Sequence, residues 1–151
     1  EQDVIFVGGG NTKSMLSVWR EWGLDKILKK AYENGTVMSG VSAGAICWFE
    51  RGITDSWADK LNIMDCLGFT QGNCCPHYDE EAARKPSLSA FIENKEMKNC
   101  YAIEGGCALH IKNDEVHKAI SFRGKKKSFL VKYECGEIIE NILPVMTISS
   151  K

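Results

Sequence analysis

Apolar positions in the first third of the chain come in two rhythms. Asp3-Val4-Ile5-Phe6-Val7 is a short unbroken apolar run that stops at Gly8-Gly9-Gly10, which predicts a buried strand opening into a glycine loop. Met15, Leu16, Val18, Trp19 and Trp22 then recur at helical spacing. After Gly23 a second helix is predicted over Leu24 to Asn34, closed by Gly35. Thr36-Val37-Met38 predicts a second buried strand. Ala43, Ala45, Ile46, Trp48 and Phe49 suit a helix packed on a sheet.

From Arg51 to Asn73 no period is sustained, so that stretch reads as loop with one or two short strands. Glu80 to Lys98 is polar and helix-friendly apart from Pro86, with Leu88, Phe91 and Ile92 on one face. Tyr101 to Ile103 and Ala108 to Ile111 predict strands flanking a Glu104-Gly105-Gly106 turn. The alternation in Ser128-Phe129-Leu130-Val131-Lys132-Tyr133 predicts antiparallel edge hairpins in the tail. Strands alternating with helices in the first half argue for an α/β layered sheet. One strand-helix unit before the Ser42 turn is fewer than doubly wound sheets build, so an N-terminal portion is expected to be missing from an otherwise single domain over residues 1–151.

Composition narrows the partners. A net charge of −1 and a pI near 6.4 give no general pull toward nucleic acid or anionic lipid. The one basic run, Lys125 to Lys127, reads as a solvated hairpin tip. No apolar stretch approaches the roughly 18 to 20 residues of a membrane span, and no basic-then-apolar leader opens the chain, so a soluble protein is expected. Seven cysteines is an odd number, and Cys47, Cys66, Cys100 and Cys107 sit among apolar residues, which favours reduced thiols in a cytoplasm over a disulfide framework. Cys74, Cys75 and His77 lie close together without a second ligand pair, so neither a zinc site nor any other cofactor is expected.

The chemistry gathers around Gly40-Val41-Ser42-Ala43-Gly44. A serine between two glycines at a strand-to-helix junction fits a nucleophile elbow, in which small neighbours let the backbone turn sharply and hold the hydroxyl out. The bland alternative is a helix-capping serine. A serine nucleophile needs a base and an orienting carboxylate. Of the three histidines, His110 and His117 fall in or beside the late strands, whereas His77 follows Pro76 in a loop after a strand, which makes it the base candidate. Glu104, at a strand end before two glycines, and Asp55, in the loop after the elbow helix, are both open as the acid. Oxyanion donors are available from the Ala43 N–H and from the Gly8-Gly9-Gly10 loop, with Gly9 central. A phosphate loop is the rival reading of that glycine run, which lacks both the Gly-Lys-Ser/Thr ending and the G-x-G-x-x-G spacing.

Taken in order, Gly8-Gly9-Gly10-Asn11-Thr12, Gly40-Val41-Ser42-Ala43-Gly44-Ala45, Thr54-Asp55, Pro76-His77-Tyr78 and Glu104-Gly105 resemble the peptidase E family of aspartyl dipeptidases, over its C-terminal two-thirds. The resemblance implies a three-layer α/β sandwich with a mostly parallel sheet, class I glutamine amidotransferase-like and flavodoxin-like. It implies Ser42 as nucleophile, His77 as general base, Glu104 as the acid and Asp55 as a second relay candidate. Asn11 and Arg84 are then substrate-binding, Arg84 for the aspartyl carboxylate. The segment Asp79 to Ser89 is shorter than the family's and carries Pro86, so the specificity pocket is expected to differ.

The implied substrate is a short peptide with N-terminal aspartate, handled by a cytoplasmic monomer or homodimer with no nucleic-acid or membrane partner. Two alternatives accompany it: a cyanophycinase-like hydrolase of an aspartate-containing polymer, and a non-catalytic binding protein on the same scaffold. An α/β-hydrolase esterase is disfavoured, because no histidine follows a plausible late acid.

Overall fold

The computed structural model describes residues 2–57 and 59–148. It is a mixed α/β structure in two compact units, Glu1–Gln71 and Gly72–Lys151.

In the first unit β1 (Val4–Val7) pairs in parallel with β2 (Val37–Gly40), and α1 (Thr12–Glu21) and α2 (Leu24–Glu33) form the crossover between them. Helix α1 starts where Asn11 places its Oδ1 on the Ser14 N–H at 2.9 Å, the ordinary duty of an N-cap asparagine. Gly35 ends α2 in the left-handed region, with Thr36 N–H returning to the Ala31 carbonyl.

Leu16, Leu28, Cys47, Trp48 and Phe69 are the buried centre of this unit, and Ile5, Val7, Met15, Trp19 and Met38 pack on it. Trp48 lies 6.2 Å from the Trp19 ring and 5.6 Å from Phe69, tilted pairs each worth about 0.5–1.5 kcal/mol beyond their burial.

The helix after the elbow, α3, covers only Ala43–Ile46. The expectation that it would run through Phe49 is corrected: Trp48 and Phe49 are buried as core residues, and the chain enters β3 (Phe49–Thr54) at once. Gly52 on β3 lies against Ile46, where an added Cβ would come within 2.8 Å of the Ile46 Cβ. Strand β3 forms an antiparallel hairpin with β4 (Asn62–Asp65), in the stretch read from sequence as irregular.

Strand β5 (Thr70–Cys75) begins in the first unit and continues into the second. There it pairs in parallel with β6 (Asn99–Ile103), the buried Asn73 amide donating to the Asn99 carbonyl at 2.6 Å. Antiparallel β9 (Ser128–Glu134) and β10 (Glu137–Ile142) extend that sheet, turning at Cys135-Gly136 with both φ positive, as a two-residue hairpin requires.

A separate sheet joins β7 (Cys107–Lys112), β8 (Glu115–Ser121) and β11 (Val145–Thr147). Its Asn113-Asp114 turn also has two positive φ angles. Helix α4 (Arg84–Glu93) carries Pro86 in its first turn, where the missing N–H costs nothing, and buries Leu88 and Ile92. No helix among the described residues is long and apolar enough to cross a membrane.

Candidate active site

Six non-glycine residues among those described have positive φ: Ser42, His77, Lys95, Asn113, Asp114 and Cys135. Four of these have a plain cause. Lys95 follows the end of α4, and Asn113, Asp114 and Cys135 turn hairpins. The other two are the serine and the histidine singled out from sequence, each at φ 56°. Such conformations cost on the order of 1–3 kcal/mol and persist where the surroundings enforce them.

At Ser42 the enforcement is visible. Its φ and ψ are 56° and −116°, and the chain passes directly from β2 into α3. A Cβ on Gly40 would fall on the Gly44 carbonyl, and a Cβ on Gly44 would fall on the Val7 carbonyl. Only two glycines allow the elbow to press against the end of β1. Val41 N–H extends the β1 pairing to Val7 O at 3.1 Å, and Gly44 N–H closes the turn onto Val41 O at 2.9 Å.

Gly9 sits beside the serine, an added Cβ there lying 3.3 Å from Ser42 Cβ and 3.8 Å from Ser42 Oγ. Backbone is thus brought against the hydroxyl without a side chain in the way. Ala43, at the first helical position, carries one of the N–H groups a helix start cannot satisfy internally.

A chain of hydroxyls fixes the glycine loop. Thr12 N–H donates to Ser56 Oγ at 3.0 Å, Ser56 Oγ and Thr54 Oγ1 are 2.7 Å apart, and Thr54 Oγ1 lies 3.5 Å from Thr12 Oγ1. Thr12 and Thr54 are buried. Asn11 Nδ2 donates to the Ser56 carbonyl at 2.6 Å while its Oδ1 caps α1. One N–H and the oxygen of the Asn11 amide are thereby committed to the fold. Asp55 is exposed between Thr54 and Ser56, in the turn after β3 rather than after the elbow helix.

In the second unit His77 follows β5 and starts a turn that is fastened onto the Glu104-Gly105-Gly106 turn. Tyr78 N–H donates to Ile103 O at 3.0 Å, and Gly105 N–H donates to Asp79 Oδ1 at 2.7 Å. Lys126 pairs with Asp79 Oδ2, and Lys127 N–H donates to Glu104 Oε2 at 2.8 Å. The lysine run expected to be a solvated tip is therefore partly tied down. Desolvation opposes ionisation of Asp79, but Lys126 and the Gly105 N–H outweigh it and hold the carboxyl below its ordinary value. Lys126 is raised, chiefly by its hydrogen bond to Asp79.

On the imidazole, Nδ1 and Glu80 Oε2 are 2.7 Å apart. Glu104, expected at that nitrogen, is instead the acceptor for Lys127 N–H. Sequence reasoning did not single out Glu80. A carboxylate three residues after the histidine was a usable signal, but whether it reaches the ring depends on the positive φ of His77.

Arg84 is buried, its side chain 5% exposed, and its Nε donates to Glu81 Oε2 at 2.8 Å. Burial pushes the neighbouring Cys75 thiol up to about 12, with the Arg84 guanidinium pulling the other way. Tyr78 donates to Glu140 Oε1 at 2.8 Å, and Glu140 also receives Lys85. His110 and His117, set aside as bases, face each other across β7 and β8 with ring centroids 5.3 Å apart.

The seven cysteines form no disulfide, and no group of three or more metal-ligating side chains occurs among the described residues.

Among known proteins, the chain is 50% identical over 145 residues to the uncharacterized peptidase YgaJ of Bacillus subtilis, an alignment covering 96% of this chain and 63% of that protein. It is 30% identical over 124 residues to peptidase E of Pasteurella multocida, covering 75% of this chain and 52% of that one. It is 26% identical over 122 residues to the uncharacterized peptidase Lmo0363 of Listeria monocytogenes, covering 77% and 60%. The chain thus spans between about half and just under two-thirds of the length of these relatives. The sequence model of peptidase family S51 matches residues 1–119. With that match and the half-identical relative behind it, this chain belongs to peptidase family S51.

Proposed function

We propose that the protein is a serine peptidase on an amidotransferase-like α/β scaffold, with Ser42 as nucleophile and His77 as general base. The observation that carries the reading is the shared backbone strain. Among the described non-glycine residues, Ser42 and His77 alone hold a positive φ at the start of a helical turn, where neither a hairpin nor a helix C-terminus accounts for it. Membership of peptidase family S51 supports the same chemistry.

In this mechanism the Ser42 hydroxyl passes its proton to His77 Nε2 as Oγ bonds to the scissile carbonyl carbon. The N–H groups of Gly9 and Ala43 receive the resulting oxyanion. His77 then gives the proton to the departing amine, the C–N bond breaks, and an acyl-serine remains. A water, deprotonated by His77, attacks the carbonyl carbon of that ester; the bond to Ser42 Oγ breaks as His77 returns the proton to Oγ, and the N-terminal residue leaves as a free acid.

The substrate proposed is a short peptide with N-terminal aspartate, after the relatives named peptidase E. Asn11 offers its remaining amide N–H to the substrate. Arg84 takes the aspartyl carboxylate on its guanidinium, whose Nε also donates to Glu81. A neutral analogue would forgo the charge-assisted hydrogen bonds to the guanidinium.

Hydrolysis of Asp-Leu, Asn-Leu and Ala-Leu by the native protein and by Arg84→Ala tests this. Asp-Leu is expected to be cleaved with much the highest kcat/KM, and Arg84→Ala is expected to erase most of its advantage over Asn-Leu. An unchanged ratio in Arg84→Ala places the carboxylate elsewhere. Equal rates on the three dipeptides refute the aspartyl specificity altogether.

A further inference from the structure

Within the first unit, the glycine loop beside Ser42 is joined to the turn after β3. Gly9 stands against the serine, and a few residues on, Asn11 Nδ2 donates to the Ser56 carbonyl at 2.6 Å while Thr12 N–H donates to Ser56 Oγ at 3.0 Å. The next residue on each side of that joint is Lys13 or Trp57, and the two meet: Lys13 Nζ lies over the Trp57 ring, 5.2 Å from its centroid. We infer, resting on the serine-peptidase reading given above, that Lys13 and Trp57 form the subsite for the residue after the scissile bond. Lys13 takes the terminal carboxylate of that residue, and Trp57 takes its apolar side chain.

The charge of Lys13 is the first support. Three lysines lie over aromatic rings among the described residues. Lys29 lies over Tyr32 and Phe69 and pairs with Glu33, and Lys85 lies over Tyr78 and pairs with Glu140. Lys13 has no carboxylate on it among the described residues, so its ring contact leaves N–H donors for an anion.

Helix stability does not account for a cation at this position. Lys13 is in the first turn of α1, which carries no acidic residue, and a positive charge there faces the positive end of the helix dipole. The second support is the exposure of Trp57. At 42% exposed it is a large apolar surface left in solvent, yet its base is fixed, because Ser56 is committed through both its carbonyl and its hydroxyl. An anchored indole with an ammonium on it offers one apolar and one cationic contact side by side.

A C-terminal amino acid presents that same pair of groups. With the oxyanion donor at Gly9 and the loop running on to Lys13, a peptide that ends soon after its aspartate brings its carboxylate to the ammonium. Peptides that continue, or whose terminus is amidated, forgo the contact. Lys13 and Trp57 are therefore specificity residues, favouring very short substrates with an apolar last residue.

The test compares kcat/KM for Asp-Leu, Asp-Leu amide and Asp-Gly in the full chain. Native protein is expected to favour Asp-Leu over its amide on the order of tenfold, the scale of a charge-assisted hydrogen bond in a half-exposed setting. Lys13→Met, which keeps an apolar stem on the indole, is expected to bring acid and amide level. Trp57→Ala is expected to reduce the preference for Asp-Leu over Asp-Gly several-fold.

Damage to the glycine loop would lower all three substrates by a common factor and leave these ratios alone. A native ratio of acid to amide near one, or a ratio unchanged in Lys13→Met, overturns the role of Lys13. An unchanged ratio of Asp-Leu to Asp-Gly in Trp57→Ala overturns that of Trp57. Native protein that cleaves none of the three, or Ser42→Ala that cleaves them at the native rate, overturns the underlying reading instead.

Discussion

Three glycines near the elbow are predicted to respond to the same substitution in three different ways. At Gly44 an added methyl group would enter the Val7 carbonyl and come within 2.7 Å of the Gly8 carbonyl oxygen, both of them backbone that cannot rotate away. Accommodating it means moving the end of β1 away from α3. Overpacking of this kind costs about 1–3 kcal/mol, and a chain of this length loses about 2–4 °C of Tm per kcal/mol, so Gly44→Ala is expected to melt several degrees, to about 10 °C, below native.

At Gly8 nothing lies within 4 Å and φ is not positive, so Gly8→Ala is expected to stay within about 0.5 kcal/mol of native. At Gly9 the methyl group would meet Ser42 Cβ at 3.3 Å, a contact relieved by a shift of a few tenths of an ångström. Gly9→Ala should therefore keep a Tm close to native and lose labelling of Ser42, because the shift falls on the nucleophile and its oxyanion donor. Thermal melts by circular dichroism with fluorophosphonate labelling on the same three samples check the set. A native melting temperature for Gly44→Ala, or equal losses for Gly8→Ala and Gly44→Ala, would refute the packing argument.

Other consequences are as direct. Because Asp79 is held below its ordinary value of 3.8, its contribution to stability is complete above that value and is lost as pH falls through the lower folded-state value. The stability gap between native protein and Asp79→Asn, followed by urea unfolding from neutral to acid pH, should therefore close only at the acid end, and a gap independent of pH would contradict the pairing. Thr54→Val removes a buried hydroxyl from the chain that fastens the glycine loop and should cost about 1–2 kcal/mol in urea unfolding, whereas an unchanged midpoint would show the hydroxyl chain to be idle. Cys135 is the exposed thiol, while burial holds Cys66 and Cys75 up to about 12, so iodoacetamide near neutral pH should modify Cys135 long before the other six. Rapid modification of several cysteines in peptide maps would refute that burial pattern.

Much of the first unit is legible because its signals are local. The apolar spacing of Met15, Leu16 and Trp19 and the stops at Gly23 and Gly35 mark α1 and α2 without reference to the rest of the chain. The elbow is legible because close backbone packing leaves a mark in sequence, namely glycines at 40 and 44.

Where the information is not local, the reading fails. Trp48 and Phe49 fit a helix or a buried corner equally well by hydrophobicity, and only the packing of Trp19, Trp48 and Phe69 selects the corner. A strand before His77 is legible, but its extent through Cys75 hides because its buried positions include Asn73, which is satisfied by a carbonyl 26 residues away. The hydroxyl chain of Thr12, Thr54 and Ser56 and the reach of Glu80 to His77 depend on backbone geometry that no residue pattern spells out.

The central claim is that Ser42 is a nucleophile activated by His77. The most direct measurement is the intact mass of the chain after treatment with a fluorophosphonate, with the adduct mapped by peptide sequencing. One adduct per chain, located on Ser42 and absent from both Ser42→Ala and His77→Ala, is the predicted result. A native chain that takes up no adduct, or an adduct on Ser42 that forms at the native rate in His77→Ala, would contradict the account.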